Sequence, residues 1–163
     1  MSQQQTLRES VSFSGTGLHS GGRVNMTFLP APPGSGIRFR RVDLDGKPEI
    51  EARVEHVIAT NRSTKLGKGN VKLHTVEHVL AAFSGAGVDN AVVEVDASEP
   101  PIADGSSREY VRMIEKAGLV PQAEARTPDR VTEAIESQVG GTMRQVFPQA
   151  LLKISGSRSG PGG

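Results

Sequence analysis

The stretch TVEHVLAAFSGAGVDNAVVEVD, residues 75–96, contains a helix pattern followed directly by a strand pattern. Its apolar residues at helical spacing are Val76, Val79, Leu80 and Phe83. Thr75 is predicted to be the N-cap, while Gly85 and Gly87 are predicted to end the helix. Residues 90–96, NAVVEVD, then predict a strand. A helix packed on the strand that follows it is the unit from which the rest of the fold is predicted.

More strand patterns precede this unit, and a second helix pattern follows it. The predicted strands are TLRESVSF (6–13), RVNMTFL (23–29), IRFRRVDL (37–44) and EIEARVEHVI (49–58), and the second helix is SREYVRMIEKA (107–117). The strands alternate apolar and polar residues, as half-buried strands do. Strands in two runs with helices between them predict an α+β fold, a mainly antiparallel sheet with helices packed on one face.

The composition limits what kind of protein this is. The 163 residues carry 19 basic and 18 acidic side chains and no cysteine. The balanced charge argues against a nucleic-acid-binding surface, and without thiolates any metal must be bound by His, Asp, Glu or water. The N-terminus has no secretory pattern, and the longest apolar run, Val79–Phe83, is too short to span a membrane. A cytoplasmic protein without a membrane span is therefore expected.

The C-terminal part of the chain has a different composition from the rest. Residues 137–163 lack a sustained period and end in a Gly, Ser, Arg and Pro mixture typical of linkers. We therefore expect a first α+β domain over residues 1–125. Residues 126–163 are expected to be the start of a second domain, truncated or aberrant and poorly ordered after residue 137.

The histidine cluster HTVEH, residues 74–78, is open to two interpretations. It fits the H-x-x-E-H pattern of a zinc peptidase, in which His74 and His78 bind the metal and Glu77 is the base. Alternatively, Glu77 only complements the positive end of the helix dipole, and His78 is solvated. Spacing alone does not decide between a metal site and an ordinary helix start.

Four separated motifs together resemble one family. They are VSFSGTGLHSGGRV (11–24), GIRFRRVDLDG (36–46), TVEHVLAAFSGAGVDNAVVEVD (75–96) and PPIADGSS (100–107). In this order they resemble the UDP-3-O-acyl-N-acetylglucosamine deacetylases, zinc amidohydrolases of lipid A biosynthesis, over roughly the first 125 residues. The resemblance implies two similar α+β domains with the active site between them, of which this chain carries the first.

The resemblance also implies roles for individual residues. Glu77 is expected to be the general base and His78 a Zn²⁺ ligand, whereas His74 stands where the family does not require a histidine. His19 and Asp104 are candidate substrate-binding residues, although Asp104 is equally explained by an Asx-type turn. The other two metal ligands of the family belong to an HKxxD motif of the second domain, which this sequence lacks.

The expected function is therefore hydrolytic deacetylation of a small-molecule substrate, a UDP-linked acylated amino sugar, with only part of the active site in this chain. The missing second-domain residues would have to come from another segment. One alternative is a catalytically inactive truncated remnant or binding module, and a less favoured one is the H-x-x-E-H peptidase. A frameshifted reading frame would explain the composition of the tail.

Overall fold

The computed structural model describes residues 2–127, 131–139 and 142–148. The chain divides at residue 126 into two compact units. In chain order the strands are β1 (Gln3–Leu7), β2 (Val11–Thr16), β3 (Arg23–Pro30), β4 (Ile37–Arg41), β5 (Glu49–Glu51), β6 (Val57–Ala59), β7 (Lys65–Lys68), β8 (Val71–Leu73), β9 (Ala91–Val95), β10 (Leu119–Ala125), β11 (Ile135–Val139) and β12 (Thr142–Val146). The helices are α1 (Glu77–Ala86) and α2 (Arg108–Ala117), and a short 3-10 helix spans Val54–His56.

A five-stranded sheet forms the centre of the first unit, with the strand order β2-β3-β9-β4-β5. Neighbouring strands are antiparallel except β4 and β9, which are parallel. The middle strand β9 belongs to the stretch from which the fold was predicted. Four of its five residues are buried and the fifth is half-buried, so the middle of the sheet is covered by the rest of the unit.

Both helices cover the same face of this sheet. Phe28 of β3 lies at the centre, with its ring centroid 4.7 Å from that of Phe83 in α1 and 6.4 Å from that of Tyr110 in α2. All three side chains are at most 1% exposed, and aromatic pairs at such distances add to the stability that burial provides. The predicted α+β fold with helices packed on one face is confirmed.

Two smaller sheets complete the first unit. β1 pairs antiparallel with β10, and β6, β7 and β8 form a three-stranded antiparallel sheet. The guanidinium of Arg41, at the end of β4, donates to the Lys72 carbonyl at 2.8 Å and makes a two-pronged pair with Asp43. This buried arginine therefore connects the central sheet to β8, the strand that leads into α1.

The second unit contains an antiparallel hairpin of β11 and β12, in register from Ile135↔Val146 to Val139↔Thr142. The expected poor order after residue 137 concerns residues that lie mostly outside the described ranges, and the predicted domain limits stay a prediction. None of the described helices is long and apolar enough to cross a membrane.

Four sequence predictions are wrong in detail. The segment 6–13 is not one strand, because β1 ends at Leu7 and β2 begins at Val11 in a different sheet. The segment 49–58 is not one strand, because the 3-10 helix Val54–His56 separates β5 from β6. Thr75 does not cap α1, which begins at Glu77 after Val76. Of the two predicted stops, Gly85 lies inside α1, and only Gly87 ends it, with the positive φ of 76° that a left-handed helix end requires.

Candidate active site

The pair Glu77 and His78 occupies the first turn of α1, and both residues are half-buried. The Oε2 atom of Glu77 accepts a hydrogen bond of 2.9 Å from the N–H of Thr64. Thr64 directly precedes β7, so the small sheet fixes the direction of this carboxylate. The N-terminus of α1 adds partial positive charge beside this carboxylate.

Thr75, predicted as the cap, has an unusual backbone instead. Its φ is +55°, in the left-handed region that β-branched residues rarely adopt. The residue is 4% exposed, and its Oγ1 atom has no hydrogen-bond partner among the described residues. A left-handed residue reverses the chain direction sharply between β8 and α1, so the backbone rather than a cap sets how Glu77 and His78 enter the helix.

His19 lies in the loop between β2 and β3, and the carboxylate of Glu99 holds the backbone of this loop. Glu99 accepts hydrogen bonds from the N–H of His19 at 3.0 and 3.2 Å and from the N–H of Ser20 at 2.8 Å. Burial by itself raises the pKa of Glu99, but the N–H and hydroxyl of Ser20 and the N–H of His19 outweigh burial and hold that pKa below its usual value. Glu99 is therefore ionised, although it is only 2% exposed.

Asp104 lies in an exposed turn before α2. Its Oδ1 atom accepts hydrogen bonds from the hydroxyl of Ser106 at 2.7 Å and from the Ser106 N–H at 3.0 Å. These two bonds hold the pKa of Asp104 below its usual value. The Asx-type turn considered from the sequence is thus present, and it keeps the carboxylate ionised at the surface.

The structure brings the segments that carry these residues together around Pro101. The carbonyl of Pro101 accepts from the buried hydroxyl of Tyr110, and Pro101 forms a β-bridge with Gly17 in the His19 loop. Burial, then the negative charges of Asp104 and Glu77, raise the pKa of Tyr110 to about 12. Both negative charges therefore act on the same tyrosine, although 27 positions separate Asp104 from Glu77 in the sequence.

His74 is adjacent to this cluster rather than part of the first turn of α1. Its N–H donates to the Ser98 carbonyl at 2.8 Å. Burial lowers the pKa of His74, and the positive charges of Lys65 and His19 lower it further. His74 thus precedes the helix, whereas the peptidase pattern needs both histidines on one helical face.

The described residues do not by themselves fit a catalytic zinc ion. Such an ion needs three protein ligands and an open position. Among the residues that the structure describes, no group of three or more His, Asp or Glu side chains is arranged to hold a metal. His78 can contribute one nitrogen ligand, and further ligands would have to lie outside these residues.

Sequence reasoning missed Glu99 and Thr64. The signal for Glu99 was indirect: a loop with four glycines exposes many N–H groups, which need an acceptor, and an acidic residue stands before two prolines. Thr64 acts through its backbone N–H, so its residue type gave no signal.

Comparison with known proteins assigns the chain to a family. The fold and the site define an α+β protein with a glutamate–histidine pair at a helix start, and its relatives are deacetylases by name. A sequence model of the family described as LpxC, UDP-3-O-acyl N-acetylglycosamine deacetylase, matches residues 4–159. The chain belongs to this family.

Individual relatives agree with the family assignment. The chain is 42% identical to the UDP-3-O-acyl-N-acetylglucosamine deacetylase of Idiomarina loihiensis over 155 residues, which are 94% of this chain and 51% of that protein. It is 43% identical to the deacetylase of the same name from Saccharophagus degradans, with 95% and 51% covered. The bifunctional enzyme LpxC/FabZ of Porphyromonas gingivalis is 48% identical over 126 residues, 77% of this chain and 27% of that protein.

The matches extend further along the chain than the motifs did. The chain spans about half the length of the curated relatives it matches, 51% in two of them. The family match continues to residue 159, whereas the motifs indicated resemblance only to about residue 125. The truncated or frameshifted nature of the tail stays a prediction.

Proposed function

We propose that this chain is the N-terminal part of a deacetylase that removes the acetyl group from UDP-3-O-acyl-N-acetylglucosamine in lipid A biosynthesis. Family membership and the names of the relatives support this reaction. The observation that carries the assignment to residues is the Glu77 carboxylate, oriented by the Thr64 N–H beside His78. Cytoplasmic localisation, expected from the sequence, is part of the same proposal.

Glu77 is proposed as the general base. Thr64 occupies its Oε2 atom, which leaves Oε1 to accept a proton from the attacking water molecule. As the water oxygen bonds to the acetyl carbon, that proton moves to Glu77. When the C–N bond breaks, a proton must reach the amine nitrogen, so the products are acetate and the free amino sugar. A half-buried base held in one orientation is suited to this proton transfer.

Zn²⁺ is proposed as the metal of the complete protein, with His78 as one of its ligands. The described residues supply no full ligand set, so the remaining ligands would come from other segments. His19 and Asp104 are proposed as substrate-binding residues, because their loops meet at Pro101 near Glu77. The assignment of His78 to the metal and the assignment of His19 and Asp104 to the substrate are independent of each other.

Acetate release by the full-length protein tests the role of Glu77. Glu77→Gln keeps the shape of the side chain but removes the base, so kcat should fall about 10²- to 10⁴-fold with little change in KM. The exposed Glu9, in the turn between β1 and β2, supplies the control, and Glu9→Gln should leave both constants unchanged. An unaltered kcat in Glu77→Gln would exclude Glu77 as the base.

Metal content tests the role of His78 separately. Purified His78→Ala should retain far less zinc than the parent protein, whereas His74→Ala should retain the same amount. Equal loss in the two variants would instead favour the H-x-x-E-H peptidase arrangement.

A non-catalytic role for the 163-residue chain alone is the second candidate. It is favoured by the incomplete ligand set of the described residues and by the half-length coverage of the relatives. Measuring acetate release by the 163-residue chain and by the full-length protein distinguishes the catalytic role from the non-catalytic one. Zinc-dependent acetate release by the 163-residue chain alone would exclude the non-catalytic role.

A further inference from the structure

The buried carboxylate of Glu99 has partners of an uncommon kind. Charged side chains that are 2% exposed usually pair with an opposite charge. Glu99 instead accepts from the peptide N–H groups of His19 and Ser20, which lie 80 and 79 positions away in the sequence. A carboxylate bonded in this way fixes a loop rather than neutralising a cation.

We propose that Glu99 is a positioning residue for the substrate-binding side of the site: its carboxylate holds the loop 17–22 so that the imidazole of His19 faces the substrate. This inference rests on the proposed function, in which His19 contacts the substrate. The proposed function assigns only His19 to the substrate, whereas this inference adds Glu99 as the residue that fixes the position of His19.

The loop itself is built to receive this carboxylate. The N–H of Gly17 donates to the Gly22 carbonyl at 2.9 Å, and the N–H of Gly21 donates to the Gly17 carbonyl at 3.0 Å. These two bonds close the loop, and the N–H groups of His19 and Ser20 then point to one acceptor. Successive peptide N–H groups turned to one side form an anion-binding concavity.

Gly17 shows how closely the carboxylate approaches the loop. A Cβ atom added at Gly17 would lie 2.5 Å from Glu99 Oε1 and 2.4 Å from Ser20 Oγ. The serine hydroxyl can rotate away, but the carboxylate can move only by losing its bonds to His19 and Ser20. Glycine is therefore required at position 17 by the close approach of Glu99.

The segment around Glu99 also holds the other parts of the site. The Ser98 carbonyl accepts from His74 just before α1, at 2.8 Å, and the N–H of Ile102 donates to the Thr16 carbonyl at 2.9 Å. Residues 98–102 thus contact the loop with His19, the backbone of His74 three positions before α1, and the turn with Asp104. A shift of Glu99 would move His19 relative to the other two.

Hydrogen exchange tests whether Glu99 holds the loop. Glu99→Gln keeps the size of the side chain but replaces one acceptor oxygen by an NH₂ donor facing N–H donors. The amide protons of His19 and Ser20 should then exchange at least about tenfold faster, since a hydrogen bond to a charged acceptor contributes that much or more. Amide protons of β3 and β9 should keep their exchange rates. Unchanged exchange at His19 and Ser20 would overturn the proposal.

Gly17→Ala tests the same contact without removing the charge, and it applies also if Glu99→Gln fails to fold. It should accelerate exchange at His19 and Ser20, because the new methyl group displaces the carboxylate. Gly22→Ala is the matched control in the same loop: its Cβ would lie 3.8 Å from Ser20 Oγ, an ordinary contact, and its φ is not in the left-handed region. Equal effects of the two substitutions would contradict the proposal.

Kinetics of the full-length protein test the positioning role. Glu99→Gln should raise KM about tenfold or more and lower kcat less, because His19 is proposed to bind substrate. The double variant His19→Ala/Glu99→Gln should have nearly the same KM as His19→Ala alone, because Glu99 is proposed to act on substrate binding through His19. Additive effects would mean that Glu99 does not act through His19. If the parent protein releases no acetate, the proposed function fails, and the exchange measurements still decide whether Glu99 holds the loop.

Discussion

At the scale of single residues, Thr75 carries two costs at once. A β-branched residue at a φ of +55° is strained, and its buried hydroxyl has no partner among the described residues. Strain of this kind persists where the surrounding structure fixes the chain, here between Leu73 of β8 and Val76, each 0% exposed. Thr75 lies two residues before the proposed base Glu77.

Comparing glycine with alanine at position 75 measures the backbone part of this cost. Thr75→Gly should be more stable than Thr75→Ala by about 0.5–1 kcal/mol, because relief of the left-handed strain exceeds the added flexibility of unfolded glycine. Ala81 is exposed inside α1, and there the order should reverse, with Ala81→Gly less stable by about 1 kcal/mol. Urea unfolding of the four proteins measures these differences. A more stable Thr75→Ala would contradict a left-handed residue at this position.

The sequence indicated candidate site residues where a motif carried them and gave no signal for residues that act through backbone contacts. Glu77 and His78 were named from the family pattern, and the structure places them together in the first turn of α1. Glu99 bonds to peptide N–H groups about 80 positions away, and no local pattern records such a contact. Thr75 was misassigned because threonine favours N-caps in general, whereas its tertiary surroundings impose a left-handed backbone here.

At the scale of elements, the end of α1 separates two glycines with opposite roles. Gly87 has a φ of 76° and its N–H donates back to the Ser84 carbonyl, so it ends the helix. Gly85 lies within the helix, and a Cβ added there would have no atom within 4 Å. Both glycines were predicted to end the helix because glycine is common at helix ends. Only Gly87 adopts the left-handed conformation found at such ends.

Substitution by alanine should therefore have opposite effects at the two positions. Gly85→Ala should stabilise the protein by about 0.5–1 kcal/mol, since alanine is the better residue in a helix interior. Gly87→Ala should destabilise it by about 1 kcal/mol, because the added Cβ disfavours a positive φ although it meets only ordinary contacts. Midpoints of urea unfolding give both signs. Two changes of the same sign would show that α1 does not end at Gly87.

The strands in the middle of the central sheet were predicted well, and irregular ones were not. The predicted segment 23–29 corresponds to β3, whose buried residues alternate along the strand, and the segment 90–96 corresponds to β9, in which four of five residues are buried. β10 was missed, because Pro121 lies within it and proline is unfavourable inside a strand. It is tolerated here because β10 has only β1 as a neighbour.

At the scale of the whole molecule, β10 closes the first unit. Besides pairing with β1, it carries Gln122, which accepts from the buried Asn90 at 2.7 Å and donates to the Ala31 carbonyl at 2.8 Å. Just after β10, Arg126 makes a two-pronged pair with Asp89 at 2.7 and 2.8 Å. These contacts join β10 and the residue after it to the segment just before β9 and to the residue after β3.

A fragment of residues 1–126 should therefore fold by itself, because it contains every strand of its own sheets and the core between sheet and helices. A fragment of residues 1–118 lacks β10, so the edge of β1 that pairs with β10 loses its partner strand, and Asn90 loses its hydrogen bond to Gln122. It should be less stable than the longer fragment by about 2–4 kcal/mol, since several hydrogen bonds of about 1 kcal/mol each are lost. Urea unfolding followed by circular dichroism measures the difference. In the 1–126 fragment, Gln122→Ala should cause only part of this loss, and equal stability of the two fragments would show that β10 does not close the unit.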